Sequence, residues 1–326
     1  MKSFFKNLTA VGAGLIICLA GLGFYIFTQF QPADSQIKTS TSFVIPKGQA
    51  VSVIANRLKA AGLIKNPLAF RILAKAQKLE NQIQAGSFEL SPSLSLNQLV
   101  LELTKGTNDL WITIPEGWRA EEIAEMLGRQ NLTDFNQTEF TDLATASEGY
   151  LFPDTYLIPK MSTSQSVYHL LTNTFDKKVA QGLSTEFAIS SHTLAENMTM
   201  ASIVEREARG YEQMRHVAGI LWHRWEIHMA LQADATIQYA KGYNQLEKSW
   251  WTPPTAADRI FPSPFNTYLR PGLPPHPIAN PGLEAIRATL DPIKTNDLFY
   301  LHDRQGGLHY AKTLEVHNQN IQQYLK

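Results

Sequence analysis

The N-terminus contains an apolar segment that has few ways to fold in water. No charged residue occurs from Leu8 to Phe30, and Lys2 and Lys6 precede this segment. At a rise of about 1.5 Å per residue, a helix over the segment would be roughly 34 Å long, enough to cross the hydrocarbon core of a bilayer. A cleaved signal peptide is the alternative, but the following Gln31-Pro-Ala-Asp lacks a small-residue cleavage pattern. We therefore predict a retained transmembrane anchor within residues 1–31.

The charges beside this segment predict its orientation. Both lysines lie on its N-terminal side, and the positive-inside rule places that end in the cytoplasm. The chain after Gln31 is then expected on the outer side of the cell (inner) membrane, in the periplasm or outside the cell. The only cysteine, Cys18, lies within the segment, so neither a disulfide framework nor a cysteine-based zinc site can form.

The remaining composition argues against several classes of function. Lys and Arg together number 29, as do Asp and Glu, so no net field favours nucleic acid. The histidines from His216 to His228 lack the spacing of a zinc site, and no glycine-rich phosphate loop occurs. We predict no cofactor, no metal and no nucleic-acid partner. At 326 residues, the chain is long enough for more than one domain.

A strand-turn-helix pattern occurs twice in the N-terminal half. After a polar linker over residues 32–42, Ile45-Pro-Lys-Gly48 predicts a strand end with a turn, and a helix follows over Val51–Ala61. Ile114-Pro-Glu-Gly117 repeats the pattern 69 residues later (Ile45 to Ile114), with matched apolar positions in its helix. Duplicated small α+β units often bind extended polymers at two places, but the repeat could equally be scaffold.

The order of short strands and helices predicts an α+β fold. Residues 43–110 are expected to form a first α+β module. Residues 111–326 are expected to form a larger, mixed α/β domain that contains the second repeat copy at 111–130. Near the C-terminus, Leu298–His302 and Leu308–Ala311 flank a Gly-Gly turn, which predicts a β-hairpin followed by a final helix.

An aromatic loop, Glu148–Tyr156, carries two candidate substrate contacts. Tyr150 could stack on a sugar ring, and Asp154 could bring a second carboxylate to a site elsewhere in the fold. The alternative is that the aromatic side chains of the loop pack a seam between domains. The sequence leaves both interpretations open.

The helix predicted over Leu194–Ala208 has a carboxylate on its apolar stripe. The apolar residues of this helix follow a helical spacing that includes position 205. Glu205 therefore stands where the pattern predicts an apolar residue. A carboxyl group among apolar neighbours has a raised pKa and can remain a proton donor near neutral pH. A general acid at a glycosidic oxygen needs this property. The alternative is that Glu205 pairs with Arg206, Arg209 or Arg215 and only closes the helix end.

Polar side chains around this helix are the remaining candidates. Glu207 lies about 200° round the helix from Glu205 and is expected in a supporting or solvent-facing role. Asp234 could cap a helix. Prolines between Ser263 and Gly282 fix a backbone that offers neutral donors and acceptors, which suits a carbohydrate. The predicted substrate-binding residues are Gln232, Asp234, Ser263, Asn266, Thr267, Tyr268 and Asn280, together with Tyr150 and Asp154.

These motifs, taken in order, resemble the endolytic murein transglycosylases of the YceG-like, or MltG, type. The resemblance covers nearly the whole chain after the predicted anchor. The motifs that carry it are Glu148-Gly-Tyr-Leu-Phe-Pro-Asp-Thr-Tyr156, Ala201-Ser-Ile-Val-Glu205-Arg-Glu207, Leu231-Gln-Ala-Asp234, Ser263-Pro-Phe-Asn-Thr-Tyr268, Gly272-Leu-Pro-Pro275 and Pro277-Ile-Ala-Asn-Pro-Gly282.

The resemblance implies a membrane-anchored lyase that cuts nascent peptidoglycan strands internally, with Glu205 as the catalytic residue. It also implies a LysM-like, glycan-binding role for residues 43–110, a catalytic domain over 111–326, and peptidoglycan synthases as partners. Glu205 would act first as acid and then as base, which leaves 1,6-anhydro ends. A hydrolytic muramidase and a non-catalytic, anchored glycan-binding protein are the alternatives.

Overall fold

The computed structural model of the protein describes residues 19–106 and 109–326. Residues 19–29 are helical and carry exposed apolar side chains such as Phe24 and Phe27. Within the two described ranges, no helix is both long and apolar enough to cross a membrane. The predicted anchor begins in residues 1–18, which lie outside the described residues, as does Cys18. The anchor therefore stays a prediction.

The chain divides into two compact units, Met1–Trp111 and Ile112–Lys326. In the first unit, strand β1 (Thr41–Ile45) pairs antiparallel with β2 (Gly86–Leu90), and Phe43 lies opposite Phe88. Helices α1 (Val51–Ala60), α2 (Pro67–Ala76) and α3 (Leu96–Glu102) pack on this pair. The unit has its own core, whose fully buried large side chains include Ile45, Ile54, Leu58, Phe70, Leu90 and Leu99.

Local sequence explains where these elements begin. Asn66 accepts the amide of Leu68 and precedes Pro67, so α2 has both a side-chain cap and a proline in its first turn. Ser95 and Gln98 form a reciprocal capping box that starts α3. Each cap satisfies backbone amides that a helix start leaves without partners.

The second unit contains most of the helices. Strand β3 (Asp109–Thr113), through which the boundary between the units passes, pairs with β4 (Thr155–Pro159). The helices are α4 (Ala120–Gly128), α5 (Gln137–Thr145), α6 (Ser164–Phe175), α7 (Ser184–Ile189), α8 (Leu194–Glu207), α9 (Tyr211–Glu226), α10 (Asp234–Lys241) and α11 (Leu283–Leu290). A π-helical segment, Asp176–Gln181, extends α6, and a 3₁₀ turn covers Ala256–Ile260.

The C-terminus folds as predicted. Strands β5 (Phe299–His302) and β6 (Leu308–Ala311) form an antiparallel hairpin in which Tyr300 faces Tyr310. Helix α12 (Leu314–Tyr324) packs on both strands. The predicted hairpin and final helix are confirmed, and the mixed α+β class is confirmed for the described residues.

Helix α8 is the centre of the second unit. It contacts α9, α10 and α11, and every residue from Asn197 to Val204 is buried. Met198, Ala201 and Ala208 of the predicted apolar stripe are buried and Leu194 is exposed, and burial extends to polar residues off the stripe. They are accommodated by backbone hydrogen bonds: Ser202 donates to the Thr199 carbonyl and accepts the Ile278 amide. Consequently, no side of this part of the helix faces solvent.

Both segments predicted as copies of a strand-turn-helix unit contain a strand, a turn and a helix in that order. β1 and α1 form the first copy, and β3 and α4 form the second. Gly48 and Gly117 occupy the same place in the two turns, with φ of 78° and 74°. Glycine adopts this left-handed backbone without steric cost, which explains its presence at both positions.

Candidate active site

Glu205 lies in the last turn of α8 and lines a cavity of about 610 Å³, which we call the acid cavity. Its Oε2 atom accepts a hydrogen bond of 2.9 Å from the backbone amide of Gly282, the residue that precedes α11. The amide orients the carboxyl group, while the cavity leaves it accessible. The other residues that line the acid cavity are Glu116, Arg206, Glu207, Ala208, Arg209, Gly210, Gln213, Met214, Glu284, His302 and Gly306.

The surroundings of Glu205 favour its protonated form. Burial is the main cause that raises its pKa to about 7, and the nearby carboxyl groups of Glu116 and Glu284 add to the rise. The Gly282 amide and the Arg206 guanidinium oppose it. A carboxyl group with this pKa is partly protonated at neutral pH, so it can both donate and accept a proton there.

The arginines near Glu205 have other partners. The guanidinium of Arg206 lies 3.8 Å from the ring centroid of Trp251 and donates to the Gly117 carbonyl. Arg215 pairs with Glu212 and Asp291. In the described part of the chain, no ion pair within 4.0 Å joins Glu205 to an arginine. The alternative that Glu205 only closes the helix end in an ion pair therefore lacks support.

Glu116 enters the acid cavity from the second repeat copy. A Cβ atom built on Gly282 would lie 1.9 Å from Glu116 Oε1, so the Glu116 carboxyl occupies the space beside Gly282. Because Gly282 also donates to Glu205, the two carboxyl groups meet at this one residue. Sequence reasoning did not select Glu116. The feature of the sequence that could have identified Glu116 is the charge reversal between the repeat copies, where Lys47 stands in the first and Glu116 in the second.

Glu207 is half-buried and is hydrogen-bonded to the C-terminal hairpin. Its Oε2 atom accepts a 3.0 Å hydrogen bond from the Tyr300 hydroxyl, and burial raises its pKa to about 7. Strand β5 covers part of this face of α8 through Tyr300, and Glu207 also lines the acid cavity. The supporting role remains, with Glu207 linking the helix to the hairpin.

A second cavity of about 620 Å³, which we call the tyrosine cavity, adjoins the acid cavity. Glu207 and His302 line both cavities, so the two lie side by side, and we call them together the cleft. Three predicted substrate-binding residues line the tyrosine cavity: Gln232, Asp234 and Tyr268. Its further lining residues are Arg224, Arg259, Phe299, Tyr300, Leu301, Leu314, His317, Asn318 and Ile321.

Gln232, Asp234 and Tyr268 are held in a defined arrangement. The Tyr268 hydroxyl donates to Asp234 Oδ1 at 2.6 Å. Gln232 is exposed and has a φ of 51°, a left-handed backbone that is uncommon outside glycine and is often found at functional sites. The capping role predicted for Asp234 is wrong, since Asp234 is the first residue of α10 and its carboxylate accepts from Tyr268 instead.

Asn266 and Thr267 were predicted to contact the substrate, but both side chains are buried. The Asn266 amide donates to the carbonyls of Arg259 and Phe261 and accepts the Tyr268 amide. Thr267 hydrogen-bonds the Ala233 amide and the Thr236 hydroxyl. Both side chains are used within the protein and have no surface for a ligand. They shape the loop that presents Tyr268. Ser263 is half-buried, accepts the Phe265 amide, and lines neither cavity.

Asn280 is also an internal residue rather than a substrate contact. Its Oδ1 atom accepts the amides of Gly149 and Leu151, and its Nδ2 atom donates to the Trp118 carbonyl and to the Glu148 carboxyl. Burial raises the pKa of Glu148 to about 8. This network joins the aromatic loop to the segment that carries Gly282, and so it fixes the acid cavity indirectly.

Tyr150 and Asp154 take structural positions. The Tyr150 ring packs edge-on against Phe175 at a centroid distance of 5.0 Å, and Asp154 pairs with Lys178 at 2.5 Å. Neither residue lines the acid cavity or the tyrosine cavity. These two contacts therefore support the alternative interpretation, in which the aromatic loop has a packing role. Among the described residues, no cluster of His, Cys, Asp and Glu has the arrangement of a metal site.

With the fold and the cleft defined, comparison with known proteins gives the class of protein. The profile of the YceG-like family matches residues 43–323, and the chain belongs to this family. The resemblance found in the sequence is thereby confirmed.

Individual relatives carry a more specific name. The endolytic murein transglycosylase of Streptococcus pneumoniae serotype 2 (strain D39) is 30% identical over an alignment of 341 residues. The alignment covers 92% of this chain and 61% of the relative. The endolytic murein transglycosylase of Bacillus subtilis (strain 168) is 29% identical, with 95% of this chain and 91% of the relative covered. This chain thus spans 61% of the length of the pneumococcal relative.

The fold is similar to a solved structure. A crystal structure of a YceG-like protein from Listeria monocytogenes superposes with a TM-score of 0.55 and 27% sequence identity. The match covers 86% of this chain and 98% of that chain. The similarity therefore extends over most of the architecture described above.

Proposed function

We propose that this protein is a membrane-anchored endolytic murein transglycosylase. It would cleave the bond between N-acetylmuramic acid and N-acetylglucosamine inside nascent glycan strands and leave 1,6-anhydro ends. The observation that carries the proposal is the carboxyl group of Glu205, which burial brings to a pKa of about 7 inside an open cavity. The relatives named endolytic murein transglycosylase support the substrate class.

Glu205 performs both proton transfers in the proposed reaction. The protonated carboxyl donates to the glycosidic oxygen, the bond from C1 to that oxygen breaks, and positive charge develops at C1. The muramic acid C6 hydroxyl then attacks C1 and passes its proton to the Glu205 carboxylate. The carboxyl group is thereby restored. A pKa near neutrality suits both steps, because the group must donate and then accept.

The shape of the cleft fits cleavage within a strand. The acid and tyrosine cavities share Glu207 and His302 as lining residues, and each has a volume typical of small-ligand sites. Sugar residues on one side of the cut would lie in the tyrosine cavity, against Gln232 and Tyr268. Those on the other side would lie beside Glu116 and Glu284.

The anchor and the N-terminal module complete the proposal. The uncharged segment Leu8–Phe30 would hold the enzyme in the cell membrane with its catalytic domain outside, near peptidoglycan synthases. Residues 43–110 would act as a LysM-like module that binds the same strands. A reporter fused to the C-terminus tests the orientation. Activity of the reporter only in the cytoplasm would contradict it.

The test of the site is Glu205→Gln in the full chain. Removing the proton donor should lower strand cleavage by about 10³-fold, in line with the usual contribution of general acid catalysis. Glu226→Gln, an exposed substitution of the same kind on α9, is the matched control and should cleave normally. Cleavage by Glu205→Gln at the control rate would contradict the assignment.

Stability measurements show whether the variant is folded. The pKa of Glu205 is raised in the folded state, so its ionisation destabilises the protein as pH rises from about 4.5 toward 7. Glu205→Gln removes that destabilisation. Its free energy of unfolding at pH 8 should equal or exceed that of the parent protein, as measured by urea denaturation.

The same cleavage assay separates the enzyme from the non-catalytic alternative. If the parent protein retains glycan strands but does not cut them, the protein is a glycan-binding protein.

A further inference from the structure

Gly282 is the point at which two carboxyl groups of the acid cavity meet. Its amide hydrogen-bonds Glu205, while the Glu116 carboxyl fills the volume that a side chain at position 282 would need. The φ of Gly282 is −74°, a value open to any residue. A side chain at position 282 would therefore displace the Glu116 carboxyl, although the backbone conformation accepts any residue.

The second repeat copy holds Glu116 in place through backbone hydrogen bonds. The Gly117 amide donates to the Asn280 carbonyl at 2.8 Å, and the Asn280 amide donates to the Trp118 carbonyl at 2.8 Å. The left-handed turn at Gly117 brings the chain against the Cγ atom of Glu205. Since Glu116 lies between the strand and this turn, the position of its backbone relative to Glu205 is set by the fold.

We propose that Glu116 is a positioning residue for the reaction: its negative charge beside Gly282 keeps Glu205 in the proton-donating form. This rests on the proposed function of Glu205 as the acid. Two adjacent carboxyl groups cannot easily ionise together, so the charge on one favours the proton on the other. Lys47, which stands at the matching place in the first repeat copy, has the opposite charge.

Other charged groups also face Glu205, and Glu116 has the strongest influence among them. Arg206 comes next and acts in the opposite direction, but its guanidinium lies against Trp251. Glu284, in the first turn of α11, is exposed, as Glu116 is, and its charge raises the pKa of Glu205 less than the charge of Glu116 does. The remaining charged or titratable lining residues are Glu207, Arg209 and His302.

The proposal predicts a shift in the pH profile of cleavage. Glu205 must be protonated to act, so activity falls as pH rises through its pKa. In Glu116→Gln the charge that supports protonation is absent, so this fall should occur at lower pH. The variant should lose activity at neutral pH and recover it as pH decreases. A purely structural role would reduce the rate at every pH. Glu284→Gln, the matched control, should shift the profile less.

Direct titration of Glu205 tests the coupling without relying on cleavage. Carboxyl resonances of ¹³C-labelled full-length protein are recorded against pH, and the Glu205 signal is identified by its loss in Glu205→Gln. A lower Glu205 pKa in Glu116→Gln supports the proposal. An unaltered pKa in the folded variant overturns it. If strands are not cleaved at all, the proposed function fails, while this titration still decides the coupling.

A second variant covers the case in which Glu116→Gln does not fold. Gly282→Ala keeps Glu116 in the chain but places a methyl group where its carboxyl lies, so the carboxyl must move away. The pKa of Glu205 should again fall. If that pKa is unaltered in Gly282→Ala, the proposed role of Glu116 is wrong.

Discussion

The two strand-turn-helix copies have the same local structure and opposite surroundings. In the first, the turn at Lys47 and Gly48 is exposed, and no atom lies within 4 Å of a Cβ built on Gly48. In the second, a Cβ on Gly117 would lie 3.4 Å from Glu205 Cγ and from Arg206 Nη1. The turn is the same because the local sequence is the same. Its use differs because the second copy packs against the end of α8.

Among the substitutions that test this comparison, exchanging the charges between the copies should change the rate of cleavage most. Glu116→Lys places a cation beside Glu205, which should lower the pKa of the acid and reduce cleavage at pH 7 on the order of 30-fold. Lys47→Glu, the reciprocal change, should leave the pH profile of cleavage in place. Steady-state rates on isolated strands from pH 4 to pH 9 measure both. Equal effects of the two substitutions would mean that the turns do not differ in function.

Alanine at the two turn glycines separates backbone strain from contact with the acid. Gly48→Ala and Gly117→Ala both force a left-handed backbone on alanine, so each should lower the free energy of unfolding by about 1 kcal/mol. Only Gly117→Ala adds a methyl group against Glu205, and it should reduce cleavage about 10-fold. Urea denaturation and cleavage rates are compared for the pair. A similar loss of cleavage in Gly48→Ala would contradict this distinction.

The smallest expected effect concerns the tyrosine cavity. Tyr268→Phe removes the hydroxyl that donates to Asp234, which should raise KM about 5-fold through a loss of roughly 1 kcal/mol of binding, with little change in kcat. Tyr243→Phe, at a tyrosine that lines neither cavity of the cleft, is the control. A large fall in kcat for Tyr268→Phe would place this residue in the chemistry rather than in substrate binding.

Short-range patterns in the sequence predicted most of the local structure. The repeat, the C-terminal hairpin and the position of Glu205 on α8 follow from apolar spacing and from turn residues that act over a few positions. Glu205 could be selected because a carboxyl group on the apolar stripe of a helix needs an explanation. The family resemblance pointed to the same residue.

Long-range packing explains what the sequence did not predict. Glu116 reaches Glu205 only because Asn280 joins two segments that are distant in the chain. Asn266 was expected to bind substrate because its amide suits a sugar, yet the same amide also suits the carbonyls of Arg259 and Phe261. Donor and acceptor chemistry alone does not tell a ligand contact from an internal one.

The most direct test of the central claim is the chemistry of the new strand ends. Intact glycan strands digested by the full-length protein are analysed by mass spectrometry for both length and end group. We expect internal cuts with 1,6-anhydro-muramic acid ends, and none of these products from Glu205→Gln. Reducing ends that carry an added water, or the same products from the variant, would contradict an account in which Glu205 alone donates and then recovers the proton.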